Sequence, residues 1–306
     1  MSLRVTLTGA TGLIGPKALA ALRERGDEVT VLSRDPARAR EVLGAETQVL
    51  AWDPNSEPAP AQALEGRDAV LHLAGAPVAQ RWSASAKRAI RESRVNGTGN
   101  LIEGMRALSS PPAVLVSGSA IGYYGPHGEE PLDEEAPPGS DFLAGVCVEW
   151  EAQAARAREL GARVACIRTG VVLDSEGGAL AKMLPPFRAG VGGPVAGGRQ
   201  YISWIHTEDL VGLMLAAIDG EDWAGAVNAT APEPTTNALF SKALGSALGR
   251  PAVLPVPGLA LRLLYGEMAE IVTTGARVVP AKALVLGYEF AHPKLDEALE
   301  SALARS

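Results

Sequence analysis

Cysteine and histidine are both scarce in this chain of 306 residues, which contains two cysteines and four histidines. Cys147 and Cys166 are too far apart for a CxxC motif and too few for a structural metal site. Because the four histidines are scattered, a zinc site is not expected either, and we expect no bound metal. Low cysteine usage is typical of a reducing compartment, so the sequence predicts a cytoplasmic protein.

The sequence also lacks an excess of positive charge and any long apolar run. Its net charge of −7 gives no electrostatic basis for binding nucleic acid or an anionic membrane. No apolar run reaches the roughly 18 residues that a membrane helix needs, and the N-terminus enters a predicted strand directly, without a signal peptide. With 47% hydrophobic residues, the chain can bury a full globular core.

A glycine-rich turn over residues 8–15 is the most informative feature that is present. It follows an apolar strand and precedes an alanine-rich helix, which is the arrangement of a dinucleotide-binding turn. Gly9 permits the tight turn, Gly12 allows the backbone to approach a pyrophosphate, and Gly15 allows close packing of the helix. The N–H groups at the helix N-terminus would bind the phosphates. The alternative is an ordinary glycine turn.

The end of the second predicted strand, residues 27–32, indicates which dinucleotide is bound. An acidic residue at this place holds the ribose 2′-hydroxyl of NAD, whereas an arginine accommodates the 2′-phosphate of NADP. Here Ser33 and Arg34 follow the strand, and both can bind a phosphate. Asp35 is expected to point elsewhere, as the N-cap of a helix over residues 36–43. We therefore expect NADP(H), with NAD(H) less favoured; a solvated surface arginine is the alternative.

Further strand ends provide candidate cofactor contacts, because ligands of such folds bind at the carboxyl edge of the sheet. Asp53 follows the third strand and could either contact the adenine amino group or cap the next turn. His72, inside the fourth strand, is predicted to be a core histidine. The complete predicted cofactor site comprises Gly9, Thr11, Gly12, Leu13, Ile14, Ser33, Arg34, Asp53, Leu73, Ala74, Gly75 and Ser117.

Six predicted strands alternate with helices through the first 170 residues. This alternation predicts an α/β fold with a doubly wound parallel Rossmann sheet. After Arg168, glycine-rich loops and helices dominate, which favours a smaller, mainly helical lobe over a substrate pocket. We predict an NADP-binding domain over residues 1–170, to which residues 199–230 return, and a substrate-binding lobe over residues 171–306.

Short motifs are spread along nearly the whole chain. They include the glycine turn, Leu73-Ala74-Gly75, Ser117-Gly118-Ser119, Arg168-Thr169-Gly170 and Trp204-Ile205-His206. In this combination the chain resembles the extended short-chain dehydrogenase/reductases, and more narrowly their epimerase-like branch, the NAD-dependent epimerase/dehydratase family. The resemblance implies a Rossmann domain, a C-terminal substrate lobe, bound NADP and a catalytic serine at Ser119.

The chain departs from that family at the active-site motif Tyr-x-x-x-Lys. If Glu151 matches the acidic residue that usually follows the motif, Leu143 replaces the tyrosine and Cys147 the lysine. In the family the phenol exchanges a proton with the substrate, while the lysine lowers the phenol pKa and holds the nicotinamide ribose. Leu143 can do neither, and Cys147 supplies no fixed positive charge. Arg94 stands where the wider superfamily has an active-site asparagine.

Other side chains could supply the missing groups. Tyr123 or Tyr124 could provide a phenol, Arg94 a positive charge, and His206 a base, although this last segment mainly supports the pocket in the family. We select Ser119 and Tyr124 as the candidate catalytic residues. The predicted substrate pocket comprises Arg199, Gln200 and Trp204. A structural ion pair is the alternative for the first of these, and a core position for the last.

Two functions from different classes are compatible with these residues. The first is an NADP(H)-binding oxidoreductase or nucleotide-sugar epimerase-like enzyme that acts on a small carbonyl or sugar. The second is a non-catalytic NADP(H)-binding sensor or partner-binding protein, which the loss of the tyrosine and lysine favours. The resemblance also implies that a homodimer would pack through the long helices predicted over residues 83–106 and 142–160. The alternative is that the chain itself covers these helices.

Overall fold

The structure is a computed structural model that describes residues 2–304. The strands are β1 Arg4–Thr8, β2 Glu28–Ser33, β3 Gln48–Ala51, β4 Ala69–His72, β5 Val114–Ala120, β6 Pro131–Leu132, β7 Arg163–Thr169, β8 Val171–Leu173, β9 Tyr201–Ile202, β10 Trp204–His206, β11 Gly225–Ala229, β12 Thr235–Thr236 and β13 Arg277–Val278. The α-helices are α1 Gly15–Glu24, α2 Pro36–Leu43, α3 Ala61–Leu64, α4 Ala84–Arg106, α5 Phe142–Ala155, α6 Gly178–Arg188, α7 Thr207–Asp219, α8 Asn237–Ala247, α9 Gly258–Tyr265, α10 Glu270–Thr273, α11 Ala281–Val285 and α12 Leu295–Ala304. Short 3-10 helices cover Ile121–Tyr124, Arg156–Leu160 and Gly266–Ala269.

Seven strands form one parallel sheet in the order β11-β7-β5-β4-β1-β2-β3. Strand β1 lies at the switch point, because the chain runs from it to β2 and β3 on one side and returns to β4 on the other. A crevice opens between the carboxyl ends of the strands at such a point. The predicted doubly wound parallel sheet is therefore confirmed, and β11 adds a seventh strand at its edge.

Helices cover both faces of this sheet, which explains why its central strands β1, β4 and β5 are mostly buried. On one face, Leu7 of β1 belongs to the same buried cluster as Leu213 of α7. On the other face, Val70 and Leu115 cluster with Leu101 of α4. No residue of β4 is exposed, as expected for a parallel strand that is buried from both sides.

The C-terminal part of the chain has its own apolar core. Trp204, Phe240 and Leu299 lie in this third cluster, to which α6, α8 and α12 contribute. Outside the central sheet, short strands form three two-stranded sheets: β8 with β10, β9 with β12 and β6 with β13. The predicted helical C-terminal part is thus present. Within residues 2–304, no helix combines the length and the apolar character that crossing a membrane requires.

Several observed elements differ from what the sequence predicts. The sequence of residues 258–274 predicts one helix, but this helix is divided, because Gly266 has a φ of +62° and this left-handed conformation ends α9 at Tyr265. The helix predicted over residues 142–160 ends as α5 at Ala155 and continues as a 3-10 helix. The sequence also predicts a strand over residues 114–116, which continues to Ala120 as β5. Ser119 therefore lies within a strand rather than in the loop beyond it, which fixes the direction of its side chain.

Substitution of Gly104 tests how closely α4 packs against the segment that contains Ala59. A Cβ at Gly104 would lie 2.4 Å from the carbonyl oxygen of Ala59. We expect Gly104→Ala to lower the free energy of unfolding by about 1–3 kcal/mol, since the backbone must shift to relieve this overlap. Exposed Gly145 of α5 is the matched control, because a Cβ there meets no atom within 4 Å. Gly145→Ala should stabilise by about 0.5–1 kcal/mol. Equal effects of the two changes in urea denaturation would contradict the packing argument.

His72 of β4 is a core histidine, as predicted. It is fully buried, with Nδ1 2.8 Å from Thr8 Oγ1 and Nε2 3.1 Å from Thr98 Oγ1. Burial lowers the pKa of His72 from 6.5 to about 4. The stability that the neutral ring contributes is complete above pH 6.5 and is lost as the pH falls to about 4, because only the unfolded chain then takes up the proton.

The pH dependence of stability checks this assignment. Between pH 6.5 and 4, we expect the wild type to lose about 3 kcal/mol more of its free energy of unfolding than His72→Gln. The glutamine amide keeps a polar partner for the two threonine hydroxyls but does not titrate. Denaturant unfolding across this pH range measures the difference, and parallel curves for the two proteins would show that His72 is not held neutral.

Candidate functional site

The glycine turn passes directly over the end of β4, at the crevice beside β1. Gly9 has a φ of +70°, and a Cβ there would lie 2.6 Å from the carbonyl carbon of Leu73. Gly15 begins α1 close to the turn, where a Cβ would lie 2.4 Å from Ala10 Cα. Both approaches leave room only for glycine, so the backbone itself forms the floor of the crevice.

Helix α1 begins immediately after this turn and has no side-chain cap. Pro16 occupies its first turn, where the missing N–H loses no hydrogen bond. Thr11 and Gly12 are exposed, whereas Leu13 and Ile14 are half-buried. An uncapped helix N-terminus offers N–H donors and the positive end of the helix dipole. The turn therefore has the groups that a pyrophosphate requires.

The end of β2 displays an exposed arginine, Arg34. Beside it, Ser33 Oγ accepts a hydrogen bond from the Asp35 N–H at 3.2 Å. The Asp35 carboxylate caps α2 as predicted, because it accepts the Arg38 N–H at 3.0 Å. The acidic group that follows Arg34 is thereby directed into the helix, and Arg34 remains exposed.

Asp53, after β3, caps the next turn, which is one of the two roles left open for it. Its carboxylate accepts hydrogen bonds from the Ser56 hydroxyl and the Asn55 N–H. The bond from Ser56 is the main reason why the pKa of Asp53 is lowered, and the charge of Arg34 contributes. Asp53 and Arg34 therefore share the surface above β2 and β3.

The ends of β4 and β5 differ in what they expose. Thr8 Oγ1 accepts the N–H groups of Leu73 and Ala74 at 3.2 Å each, which fixes the end of β4, and Gly75 beyond it is exposed. Ser117, by contrast, is buried within β5, and its hydroxyl bonds to the carbonyl of the next residue at 3.1 Å. Of the predicted cofactor contacts, Ser117 is thus enclosed by the sheet instead of lying at its edge.

Ser119 belongs to a polar network that links β5, α5 and β7. It is the register partner of Arg168, and its hydroxyl donates to Glu151 Oε1 at 2.6 Å. Arg168 binds the same carboxylate through two hydrogen bonds, from Nε at 2.8 Å and from Nη2 at 2.9 Å. Burial alone would lower the pKa of Arg168, but its hydrogen bonds with Glu151 raise it overall. The guanidinium therefore stays charged.

Tyr124 lies at the far side of this network and is fully buried. Its hydroxyl accepts a hydrogen bond from Arg168 Nη1 at 2.9 Å and donates one to Asn228 Oδ1 at 2.7 Å. Burial raises the pKa of Tyr124 to about 12. Tyr123 is half-buried, and its ring centroid lies 3.4 Å from Arg168 Cζ. The Tyr124 phenol is therefore buried, with its hydroxyl hydrogen-bonded as donor and as acceptor, which does not fit the catalytic role expected for it.

Glu151 and Asn228 are functional candidates that sequence reasoning did not assign. From the sequence, Glu151 served only to align the active-site motif. The signal that indicates it is its spacing: Glu151 lies one helical turn after buried Cys147 on α5, so a carboxylate is directed towards the sheet. A buried carboxylate requires a cationic partner, and Arg168 at the end of a buried strand is the matching one.

Leu143 and Cys147 lie side by side where the motif residues were sought. A Cβ at Gly122 would lie 3.4 Å from Leu143 Cβ and 4.0 Å from Cys147 Sγ. Burial raises the pKa of the Cys147 thiol to about 12, so it is neutral and a poor nucleophile. These two positions therefore provide neither a phenol nor a cation.

The three residues predicted for the substrate pocket lie in different environments. Arg199 is exposed. The amide of Gln200 donates to the carbonyls of Val195 at 3.1 Å and Val272 at 3.0 Å, which joins the glycine-rich loop to α10. Trp204 is fully buried in the C-terminal core, the alternative that had been left open for it. Arg199 is thus exposed, Gln200 is half-buried and Trp204 lies in the core.

His206 supports the start of α7. Its Nδ1 accepts the Glu208 N–H at 3.2 Å, which makes it the N-cap of the helix. Its ring centroid lies 3.8 Å from that of His292, at an interplanar angle of 42°. Both contacts hold the imidazole within the C-terminal part of the protein.

The chain is similar to proteins from bacteria, plants and animals over nearly its whole length. It is 40% identical to the chloroplastic epimerase family protein SDR39U1 homolog of Arabidopsis thaliana, covering 98% of this chain and 86% of the plant protein. The crystal structure of human epimerase family protein SDR39U1 with NADPH has a TM-score of 0.89 and 32% identity, covering 99% of this chain and all of the human one.

A second solved structure, the nucleoside-diphosphate sugar epimerase of Corynebacterium glutamicum, is 34% identical with a TM-score of 0.79. The match covers all of this chain and 59% of the bacterial one. Residues 256–302 match a domain of unknown function. Residues 5–229 match the NAD dependent epimerase/dehydratase family, as the motifs predicted. This protein therefore belongs to the NAD dependent epimerase/dehydratase family.

Proposed function

We propose that this protein binds NADP(H) across the carboxyl edge of its central sheet. The observation that carries the proposal is the backbone crevice at Gly9, with the uncapped N-terminus of α1 behind it and exposed Arg34 beside it. The pyrophosphate would lie on the glycine turn, and Arg34 with Ser33 would bind the 2′-phosphate. NADPH in the human SDR39U1 structure supports this choice of cofactor.

The proposed activity is that of an oxidoreductase or epimerase-like enzyme acting on a small carbonyl or sugar. Bound NADP(H) would supply hydride transfer, and the chain must exchange a proton with the substrate oxygen. Ser119 is the candidate for this exchange. Because its O–H donates to Glu151, its lone pairs can accept a substrate hydroxyl, and the carboxylate can receive the proton that Ser119 releases.

One observation favours a second candidate, a non-catalytic NADP(H)-binding sensor. Leu143 cannot exchange a proton, and the hydroxyl of Tyr124 is already committed to Arg168 and Asn228. A protein that keeps the cofactor crevice but lacks an accessible phenol could respond to the NADPH concentration without turnover. The two candidates differ in whether any substrate is converted.

Arg34→Ala tests the cofactor. We expect it to raise the Kd for NADPH by about 10- to 100-fold, because a hydrogen bond with a charged group contributes about 1.5–3 kcal/mol. The Kd for NADH should change by less than about two-fold, since NADH lacks the 2′-phosphate. Isothermal titration calorimetry measures both, with exposed Arg188→Ala of α6 as the control. Tighter binding of NADH than NADPH by the wild type would overturn the assignment.

Turnover separates the enzyme from the sensor. Across a panel of carbonyls and nucleotide sugars, we expect NADPH oxidation with at least one carbonyl, or epimerisation of at least one nucleotide sugar without net consumption of the cofactor, and a loss of about 100-fold or more in Ser119→Ala and in Glu151→Gln. Ser246→Ala, at an exposed position of α8, should behave as the wild type. NADPH binding without turnover on the panel would favour the sensor, and turnover indifferent to Ser119→Ala would exclude the proposed proton exchange.

A further inference from the structure

Arg94 of α4 is held in one orientation by three contacts. Its Nη1 donates to the carbonyls of Ala76 at 3.0 Å and Ile90 at 3.1 Å. Its Cζ lies 5.2 Å from the centroid of the Trp150 ring, a cation–π contact. The side chain is half-buried. The position of its charge is therefore set by the fold and not by a flexible stem.

This guanidinium has no counter-charge within residues 2–304, since no carboxylate there forms an ion pair with it. Arg91, on the same helix, pairs with Glu149. Arg168, which is buried, pairs with Glu151. Burial lowers the pKa of Arg94, yet an arginine remains charged at neutral pH. Charges that are removed from water are normally paired in proteins, and half-buried Arg94 forms no ion pair within residues 2–304.

Arg94 lies at the carboxyl edge of the sheet, on the side of β4 and β5. A Cβ at exposed Gly75, just beyond β4, would lie 3.1 Å from Arg94 Cζ. On the opposite side of the crevice, Ser33 and Arg34 end β2. A dinucleotide with its adenosine over β2 and its pyrophosphate on the glycine turn must extend its second nucleoside towards β4 and β5. Arg94 therefore faces the nicotinamide half.

The neighbour of Arg94 is Cys147 of α5. The two side chains are close enough for each to influence the pKa of the other, and α4 packs directly against α5. The cation of this region thus approaches from α4, whereas α5 contributes only a neutral thiol. Arg94 thus supplies a positive charge beside Cys147, although α5 itself contains no lysine.

We propose that Arg94 binds the nicotinamide-side ribose and phosphate of NADP(H). The inference rests on the proposed binding of NADP(H) to this protein. The guanidinium offers N–H donors to the ribose hydroxyl and phosphate oxygens, which are hydrogen-bond acceptors. A side chain at Gly75 would crowd the guanidinium, because its Cβ would lie 3.1 Å from Arg94 Cζ.

Titration with a whole and a half cofactor tests the proposal. NADPH contains the nicotinamide half, and adenosine 2′,5′-bisphosphate lacks it. We expect Arg94→Met to raise the Kd for NADPH at least about 10-fold, a difference of about 1.4 kcal/mol, and to change the Kd for the bisphosphate by less than about two-fold. Arg91→Met, on the same helix but in an exposed ion pair, is the control and should change neither Kd.

Moving the charge to α5 provides a second measurement. We expect the double variant Arg94→Asn with Cys147→Lys to bind NADPH more tightly than Arg94→Asn alone, because the new lysine would restore a cation at the same place. Arg94→Lys, which keeps the charge, should lose less affinity than Arg94→Met. Thermal unfolding identifies variants that fail to fold. If Arg94→Met does not fold, the Kd values of Arg94→Lys and of the double variant test the proposal.

The outcomes separate this inference from the cofactor assignment. Absence of NADPH binding by the wild type would overturn the proposed function. Wild-type binding that Arg94→Met leaves unchanged, or an equal loss for NADPH and the bisphosphate, would overturn only the role of Arg94. A selective loss of NADPH affinity that the lysine of α5 reverses would support it.

Discussion

The buried ion pair between Arg168 and Glu151 is the interaction on which the rest of the site depends. It joins the end of β7 to α5, and its two partners together orient Ser119 and Tyr124. The guanidinium also donates to the carbonyl of Glu134 at 3.2 Å, which brings the segment after β6 onto the sheet. Loss of either partner would leave a buried charge, which typically costs several kcal/mol. The carboxyl edge on this side is therefore rigid before any ligand binds.

The same pair divides the polar groups of the site into two classes. The hydroxyl of Tyr124 uses both its donor and its acceptor within the network, so it contributes rigidity. The hydroxyl of Ser119 uses only its donor, so its lone pairs remain available to a ligand. Both hydroxyls are buried, so the direction of each hydrogen bond, and not exposure, distinguishes the hydroxyl that can still accept one from a ligand.

The sequence predicted those features that depend on neighbouring residues or on the burial of a whole strand. The glycine spacing predicted the turn, the Asp35 side chain predicted the N-cap of α2, and an apolar strand predicted the core position of His72. It could not predict the direction of Tyr124, because that direction depends on Arg168 and hence on contacts across the sheet. Motif order likewise could not reveal that Trp204 is core; the packing of the C-terminal helices decides it.

The loss of the Tyr-x-x-x-Lys motif has different consequences for its two residues, for a physical reason. A charge acts over several ångströms, so a cation can be supplied from another helix, as Arg94 of α4 does beside Cys147. Proton transfer requires hydrogen-bond contact, so a phenol cannot be replaced from a distance. Tyr124 cannot supply the phenol that is lost at Leu143, because its own hydroxyl is already hydrogen-bonded to Arg168 and Asn228. In the proposed function, a cation from another helix replaces the lysine in cofactor binding, while catalysis depends on proton transfer by Ser119 and Glu151.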